Sequence, residues 1–394
     1  MSGAKIKGWC PSLFEPMAAG DGLLVRVKPR VAGISAAQLH ALVNAAEAYG
    51  SGRIEITNRA NFQLRGFTAQ TVLGFTEAMR AAELASADPA AERRRNILVV
   101  AGLEPDMMQV AQRLEAWLEQ DDALRAFPAK FGYAVGVVAD VADLCLLPGR
   151  VVLPGHVAVP AADPVVMAQA LTEAFLRLAP GLTPRPTRLR GLLGAIGLAA
   201  LRAAAGLEGQ DFAPVAFEPR PGGGPLSPAF RLGLAYDAHT AAQLRRAAEL
   251  ATRFGRGWLR TTLDGSLVLL LGTGDDHAGL AEAARAAGFI TDPADPRRRV
   301  KACVGRPGCA SSGADVRAIA AMLAPRWAKA GVLHVSGCTK GCAAPSGAAV
   351  TLVATAQEDR FDIVCDERAD GVPERAGVSL QDAIEWMTER QFCR

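Results

Sequence analysis

The sequence predicts a pseudo-twofold α/β protein whose functional site lies between two halves, and three observations carry that prediction. SAAQLHALVNAAEAYGSGRIEIT at 35–57 matches TAAQLRRAAELATRFGRGWLRTT at 240–262 at a constant offset of 205, and DPAAERRRN at 88–96 matches DPADPRRRV at 292–300 at an offset of 204. The stretch DFAPVAFEPRPGGGPLSPAF at 211–230 holds five prolines and three consecutive glycines and reads as an exposed linker. Each half then opens with a strand, continues through helix, glycine turn and strand, and ends in a larger α/β portion. Pockets favour the interface of two such units.

In chain order, LLVRVKP at 23–29 reads as the first strand, and the repeat supplies the helix, turn and strand up to residue 57. GLLGAIGLAALRAAAG at 191–206 is too short and too rich in glycine for a membrane span, and Arg202 lies inside it, so it reads as a buried helix. FRLGLAY at 230–236 opens the second half. LGTGDD at 271–276 lacks the G-x-G-x-x-G of a dinucleotide site and reads as a turn. After Cys309, Ser311 or Ser312 can cap a helix whose Val316, Ile319 and Leu323 form an apolar stripe that Pro325 ends or bends. GVLHVSG at 331–337 returns as a strand and delivers Cys338.

A chain of 394 residues, half of them apolar, has core enough for two to four domains. Its formal charge of +3 is the small difference between 43 basic and 40 acidic residues, which points to neither nucleic acid nor a membrane surface as partner. Only seven of the 43 are lysine, leaving 36 arginines. Codon bias explains that first; carboxylate binding by planar guanidinium forks is the functional alternative. The opening MSGAKIKGWCPS has no apolar run of a secretory signal, so a cytoplasmic location is expected.

Four of the eight cysteines fall in two short loops, Cys303-Val-Gly-Arg-Pro-Gly-Cys309 and Cys338-Thr-Lys-Gly-Cys342. In a reducing compartment clustered cysteines are more often metal or cluster ligands than disulfides. Spacings of five and three residues suit a [4Fe-4S] cluster better than a structural zinc, for which two-residue spacings are usual; zinc and unrelated thiols remain the alternatives. The loop glycines let backbone amides approach an anionic cluster, and Lys301, Arg306 and Lys340 stand near in sequence to stabilise it. Cys10, Cys145, Cys365 and Cys393 are scattered and read as small core or surface residues.

This cysteine pattern, in the second of two pseudo-repeats, resembles the sirohaem-dependent sulfite and nitrite reductases and their relatives the precorrin-3B synthases, over essentially the whole chain. Thr57-Asn-Arg59-Ala-Asn61-Phe-Gln63-Leu-Arg65 resembles the superfamily's T-x-R-x-x-x-Q segment, Arg95-Asn96-Ile97 its R-N-V segment, and Pro128-Ala-Lys130-Phe131 its lysine-bearing segment. The resemblance implies a sulfite-reductase-like fold in which each half is a ferredoxin-like subdomain plus a larger α/β domain. The expected pieces are 1–75, 76–210, 211–290 with a linker at 211–229, and a cluster-binding 291–394. It also implies that Cys303, Cys309, Cys338 and Cys342 hold the cluster, with Cys342 nearest the tetrapyrrole, and that Arg59, Gln63, Arg65, Arg95 and Lys130 bind the substrate's carboxylates.

The reductases carry a second lysine where this chain has Gly132 and an arginine where it has Ala129, and the opening at 8–30 is similar to precorrin-3B synthases in particular. Losing a cationic acid disfavours repeated proton delivery to a small oxyanion. The expected function is therefore the oxygen-dependent conversion of precorrin-3A to precorrin-3B in aerobic cobalamin biosynthesis, by ring hydroxylation and lactone closure from a neighbouring acetate. A sirohaem-dependent sulfite or nitrite reductase is the alternative. The implied partners are a polycarboxylate tetrapyrrole, O2 and a separate electron donor, a ferredoxin or an NAD(P)H-linked reductase. The implied cofactors are the cluster and a mononuclear non-haem iron, without sirohaem. No catalytic residue is legible. Of His40, His156, His239, His277 and His334, none pairs closely with a carboxylate; His334, on the strand before Cys338, is the best-placed iron ligand, with simple packing as the alternative.

Overall fold

The computed structural model describes residues 10–100, 102–125, 127–215, 229–272, 274–327 and 331–389. The repeat in sequence is a repeat in space. Ser35 and Thr240 each close a capping box, with Gln38 and Gln243; the hydroxyl takes an amide of the first turn while the glutamine reaches back to the cap. The capped helices, Ala36–Tyr49 and Ala241–Phe254, pack on one another. Ala45, Ala46, Ala247, Ala248 and Ala251 are buried there, so small side chains set a close helix contact, and Arg245 ties the rim to Glu47 and to Asn44 at 2.9 Å.

Two antiparallel sheets share the core beneath these helices. In the first, Met17–Ala19, Gly22–Val27, Phe62–Phe67 and Ile54–Ile56 lie in that order, and Ala238–His239 of the second half completes the edge. In the other, Ala229–Leu232, Leu267–Leu270 and Trp258–Thr261 are joined by Ile34–Ser35 of the first half. Each half thus lends the other a two-residue strand. One cluster takes Val25, Phe62 and Leu64 from one side and Leu244, Leu259 and Leu269 from the other, so the segments 13–85 and 232–289 have a common interior.

The larger portions repeat as well. Ile97–Val99, Tyr133–Val135 and Leu144–Leu147 are parallel neighbours, followed by antiparallel Arg150–Leu153 and Val157–Pro160. Val300–Ala302, Leu333–Ser336 and Ala348–Ala354 repeat the parallel set, followed by antiparallel Arg360–Glu367 and Arg375–Ser379. The first crossover of each set contains a helix, Pro105–Gln120 or Val316–Leu323. In the second half both crossovers leave the carboxyl ends of adjacent parallel strands carrying cysteines, which is where open α/β sheets place ligands.

Three details differ from the sequence reading. Ala213–Pro214 is a strand paired with Val157–Ala158, so the chain stays on the first half's sheet into the expected linker; residues 216–228 of that linker, like Cys393, lie outside the described residues. The helix Leu189–Ala204 buries Leu189, Leu192 and Leu201 but leaves its other face accessible, and it breaks at Gly197, φ 75°. Its glycines offer little side-chain surface to bury. Asp315, not Ser311 or Ser312, caps the helix Val316–Leu323, its carboxylate accepting from the Ala318 amide at 3.2 Å. Among the described residues no helix is long and apolar enough to cross a membrane.

Candidate functional site

A cavity of about 2290 Å³ lies between the halves, and all four loop cysteines line it. The two loops are tied together by backbone: Gly313 donates to Gly337 O at 2.9 Å, and Gly337 donates to Cys303 Sγ at 3.3 Å. Gly337 has no room for a side chain, because a Cβ there would sit 2.1 Å from Ser312 Oγ. Burial pushes the Cys303 thiol up to about 11, against amide donation from Gly337 and Gly305 and with Cys342 and Cys309 close enough to add repulsion. Cys342 is exposed to the cavity, yet the protein around it still raises its thiol by desolvation, which Lys340 and Arg26 oppose. An anion is therefore costly there until a metal group takes the sulfurs.

The donor set fits a [4Fe-4S] group: four cysteines from two interlocked loops, with an amide already aimed at one sulfur. Each thiolate of such a cluster binds a different iron, so the four need not converge on one point. Among the described residues no three His, Cys, Asp or Glu side chains are placed to hold a single metal ion, so the described side chains offer the expected mononuclear iron no ligand set. His334 is fully buried, has no hydrogen-bond partner on either ring nitrogen, does not line the cavity, and is held by burial down at about 4. It packs. Lys301 and Lys340 line the cavity, whereas Arg306 donates to Ser312 O at 2.9 Å and braces its own loop.

The first half meets the cysteine loops through Arg65. This buried guanidinium forks onto Asp21 at 2.9 and 3.1 Å and also donates to the Gly308 carbonyl. Nearby, a Cβ at Gly20 would lie 2.7 Å from Ala310 N, so the turn before Gly22–Val27 presses directly on the Cys309 loop. Arg65 lines the cavity, with its donors held by those partners. Gln63 also lines it, accepting from Arg26 Nε at 3.0 Å and donating to Glu55 at 2.7 Å.

Lys130 lines the cavity, positioned by Asn96, whose amide donates to Ala129 O at 3.0 Å and Phe131 O at 3.1 Å. Arg59 lies behind it, half-buried, donating to the Lys130 carbonyl at 3.2 Å; burial first and Arg188 next hold its pKa below the usual arginine value. Arg95 is not a cavity residue. Its side chain is 1% exposed and is engaged by Glu92 at 2.9 Å, Glu115 at 3.3 Å and the carbonyls of Lys28 and Pro29. Burial opposes its charge, but Glu92 and Glu115 outweigh burial and raise its pKa. Arg94 and Arg95 fold inward because those two carboxylates and the carbonyls of Leu118 and Glu119, which Arg94 takes, lie inside, while Arg93 stays at the surface with Glu15.

Sequence reasoning missed the cavity's other cations, chiefly Arg26, Arg231, Arg317 and Arg150. The repeat held the signal for two of them: Arg26 and Arg231 stand at the offset of 205, on the leading strand of each half. Burial lowers the pKa of Arg26, with Cys10, Glu55 and Cys342 offsetting part of that cost. Cys10, read as an unremarkable thiol, lines the cavity beside it, while Cys145 is buried as expected.

Comparisons agree with this architecture. The nitrite/sulfite reductase ferredoxin-like half domain matches residues 15–82. The structure of the Mycobacterium tuberculosis NirA protein superposes with a TM-score of 0.71 at 18% identity, over 93% of this chain and 79% of that one, a likeness of fold. A precorrin-3B synthase of Sinorhizobium sp is 31% identical over 93% of this chain and 84% of its own length. The chain belongs to the precorrin-3B synthase family, within the nitrite/sulfite reductase superfamily.

Proposed function

We propose that this protein converts precorrin-3A to precorrin-3B, inserting one oxygen atom from O2 and closing a lactone from a neighbouring acetate. The second oxygen atom leaves as water, with two electrons supplied by a separate donor protein. The observation that carries the reading is the 31% identity to a precorrin-3B synthase over nearly the whole chain, joined to a cavity large enough for a tetrapyrrole and ringed by cations. Arg26 is the proposed anchor for a substrate carboxylate, since it lines the cavity and its hydrogen-bonded neighbour Gln63 is neutral. Lys130 and Arg150 are proposed to take further carboxylates. Arg59 and Arg65 are proposed to act behind them, one holding the Lys130 backbone and the other the Cys309 loop. A [4Fe-4S] group held by Cys303, Cys309, Cys338 and Cys342 would supply one-electron transfer.

The runner-up, a sirohaem-dependent reductase, is supported by the fold and opposed by Gly132. A Cβ there would meet Asn96 O at an ordinary 3.4 Å, so the backbone does not demand glycine at this position. The experiment is turnover of precorrin-3A by anaerobically purified, cluster-loaded protein with a reduced ferredoxin and labelled O2. A product carrying one labelled oxygen supports the synthase; sirohaem bands in the purified protein with sulfite or nitrite turnover replace it with the reductase.

A further inference from the structure

An acidic side chain in a cavity read as a polycarboxylate site needs a reason. Glu55 lines the cavity and is 7% exposed. It lies on the strand Ile54–Ile56, directly opposite Gln63 in the antiparallel pair, and Gln63 in turn lies opposite Arg26. Three side chains on three neighbouring strands thus form one row. One carboxylate oxygen of Glu55 accepts from Gln63 Nε2 at 2.7 Å, and the other accepts from Arg317 of the second half.

The chemistry of the row is directional. A carboxylate only accepts, so it fixes the Gln63 amide with its nitrogen toward Glu55 and its oxygen toward Arg26. That oxygen takes the Arg26 Nε proton at 3.0 Å. The neutral amide keeps the Glu55 charge one side chain away from Arg26, and Arg317 neutralises it from the far side. Arg317 is the second residue of the helix Val316–Leu323, which begins after the short segment 310–315 that follows the Cys303–Cys309 loop. The same loop packs on that helix, since a Cβ at Gly305 would lie 2.9 Å from Val316 N.

We propose that Glu55 is a positioning residue that, held by Arg317 from the cysteine-bearing half, orients Gln63 and through it the guanidinium of Arg26 toward a substrate carboxylate. This rests on the tetrapyrrole reading of the cavity. It makes the anion site a joint product of both halves, with the segment after the cysteine loop setting the orientation of an arginine on the opposite side.

The test is the Kd of uroporphyrin III, an octacarboxylate tetrapyrrole, for the cluster-loaded full chain, measured by fluorescence quenching. Failure of the unsubstituted protein to bind overturns the tetrapyrrole reading and this proposal with it. If it binds, Glu55→Leu and Arg317→Leu should each weaken binding about 10-fold and the double variant no further, since both break one chain of contacts. The exchange Glu55→Gln with Gln63→Glu keeps a hydrogen-bonded row but sets a carboxylate against Arg26. It should keep the thermal midpoint and cluster absorption while still losing about 10-fold in affinity. Unchanged affinity in Glu55→Leu overturns the positioning role and leaves the tetrapyrrole reading standing. Should Glu55→Leu fail to fold, Glu55→Gln decides in its place: its amide no longer dictates which way Gln63 turns, so it should also lose affinity, and unchanged affinity overturns the positioning role.

Discussion

Arg26 and Arg231 occupy the same position in the two halves and both line the cavity, but they face different partners. Arg26 meets the neutral amide of Gln63 at 3.0 Å, and Arg231 meets the carboxylate of Asp264 at 2.5 Å. The pseudo-twofold is therefore broken in charge where it is kept in shape. Arg26→Gln should weaken uroporphyrin III binding about 10- to 100-fold, in line with the loss of a charge-assisted contact of roughly 1.5–3 kcal/mol. Arg231→Gln should cost less than about 3-fold, because its charge is already matched. Fluorescence quenching on both variants measures the difference, and equal losses would mean that the site does not distinguish the halves.

Arg95→Ala should destabilise the fold by about 3–5 kcal/mol, because it strands Glu92 and Glu115 in the interior. The cost should appear in the urea midpoint. Uroporphyrin III affinity of the folded fraction should stay as in the unsubstituted protein; a selective loss of binding at full stability would return Arg95 to the cavity.

Cys303→Ser should abolish the iron and acid-labile sulfide recovered on anaerobic purification, since serine cannot supply the thiolate that the Gly337 amide addresses. Retention of both would show that the four sulfurs are not the ligands. Cys145→Ser, in the core of the other half, should leave both counts unchanged.

Lys28 lies just past the end of the strand Gly22–Val27, buried, donating to the carbonyls of Glu92 at 2.6 Å and Arg93 at 3.0 Å. Burial, partly offset by Glu92, lowers its pKa to about 8. An unfolded lysine titrates near 10.4, so between about 8 and about 10 the unfolded chain keeps a proton that the folded chain has released, and stability rises with pH in that window. Relative to Lys28→Met, the unsubstituted protein should gain roughly 1–3 kcal/mol from about pH 8 to about pH 10 in urea unfolding. Parallel pH trends in the two would remove the shift.

The repeat made the fold legible, because capping residues, helix faces and leading strands recur at one offset and local chemistry decides each of them. Four cysteines in glycine-bearing loops were legible for the same reason. Arg95 was not. An arginine at the end of an arginine run looks like a surface patch; Glu92, three residues before it, is the one local hint, and Glu115, twenty residues on in the helix Pro105–Gln120, completes the buried carboxylates that draw it inward. Arg26 was hidden among apolar strand residues, where a single charge gives no periodic signal until its mate at 231 is set beside it. Glu55 was invisible because its partner Arg317 lies 262 residues away, and no helical or strand period spans such a distance.

The exchanged strands carry a cost during synthesis. Ile54–Ile56 has an unpaired edge until Ala238–His239 emerges to cover it, and Val25, Phe62 and Leu64 lack the Leu244, Leu259 and Leu269 with which they share a core, so the nascent first half exposes apolar surface of the kind that recruits other chains. A chain terminated before the second half begins would keep that edge permanently. Release of the first half alone, by nonsense mutation or proteolysis, thus yields an aggregation-prone fragment rather than a smaller version of the protein.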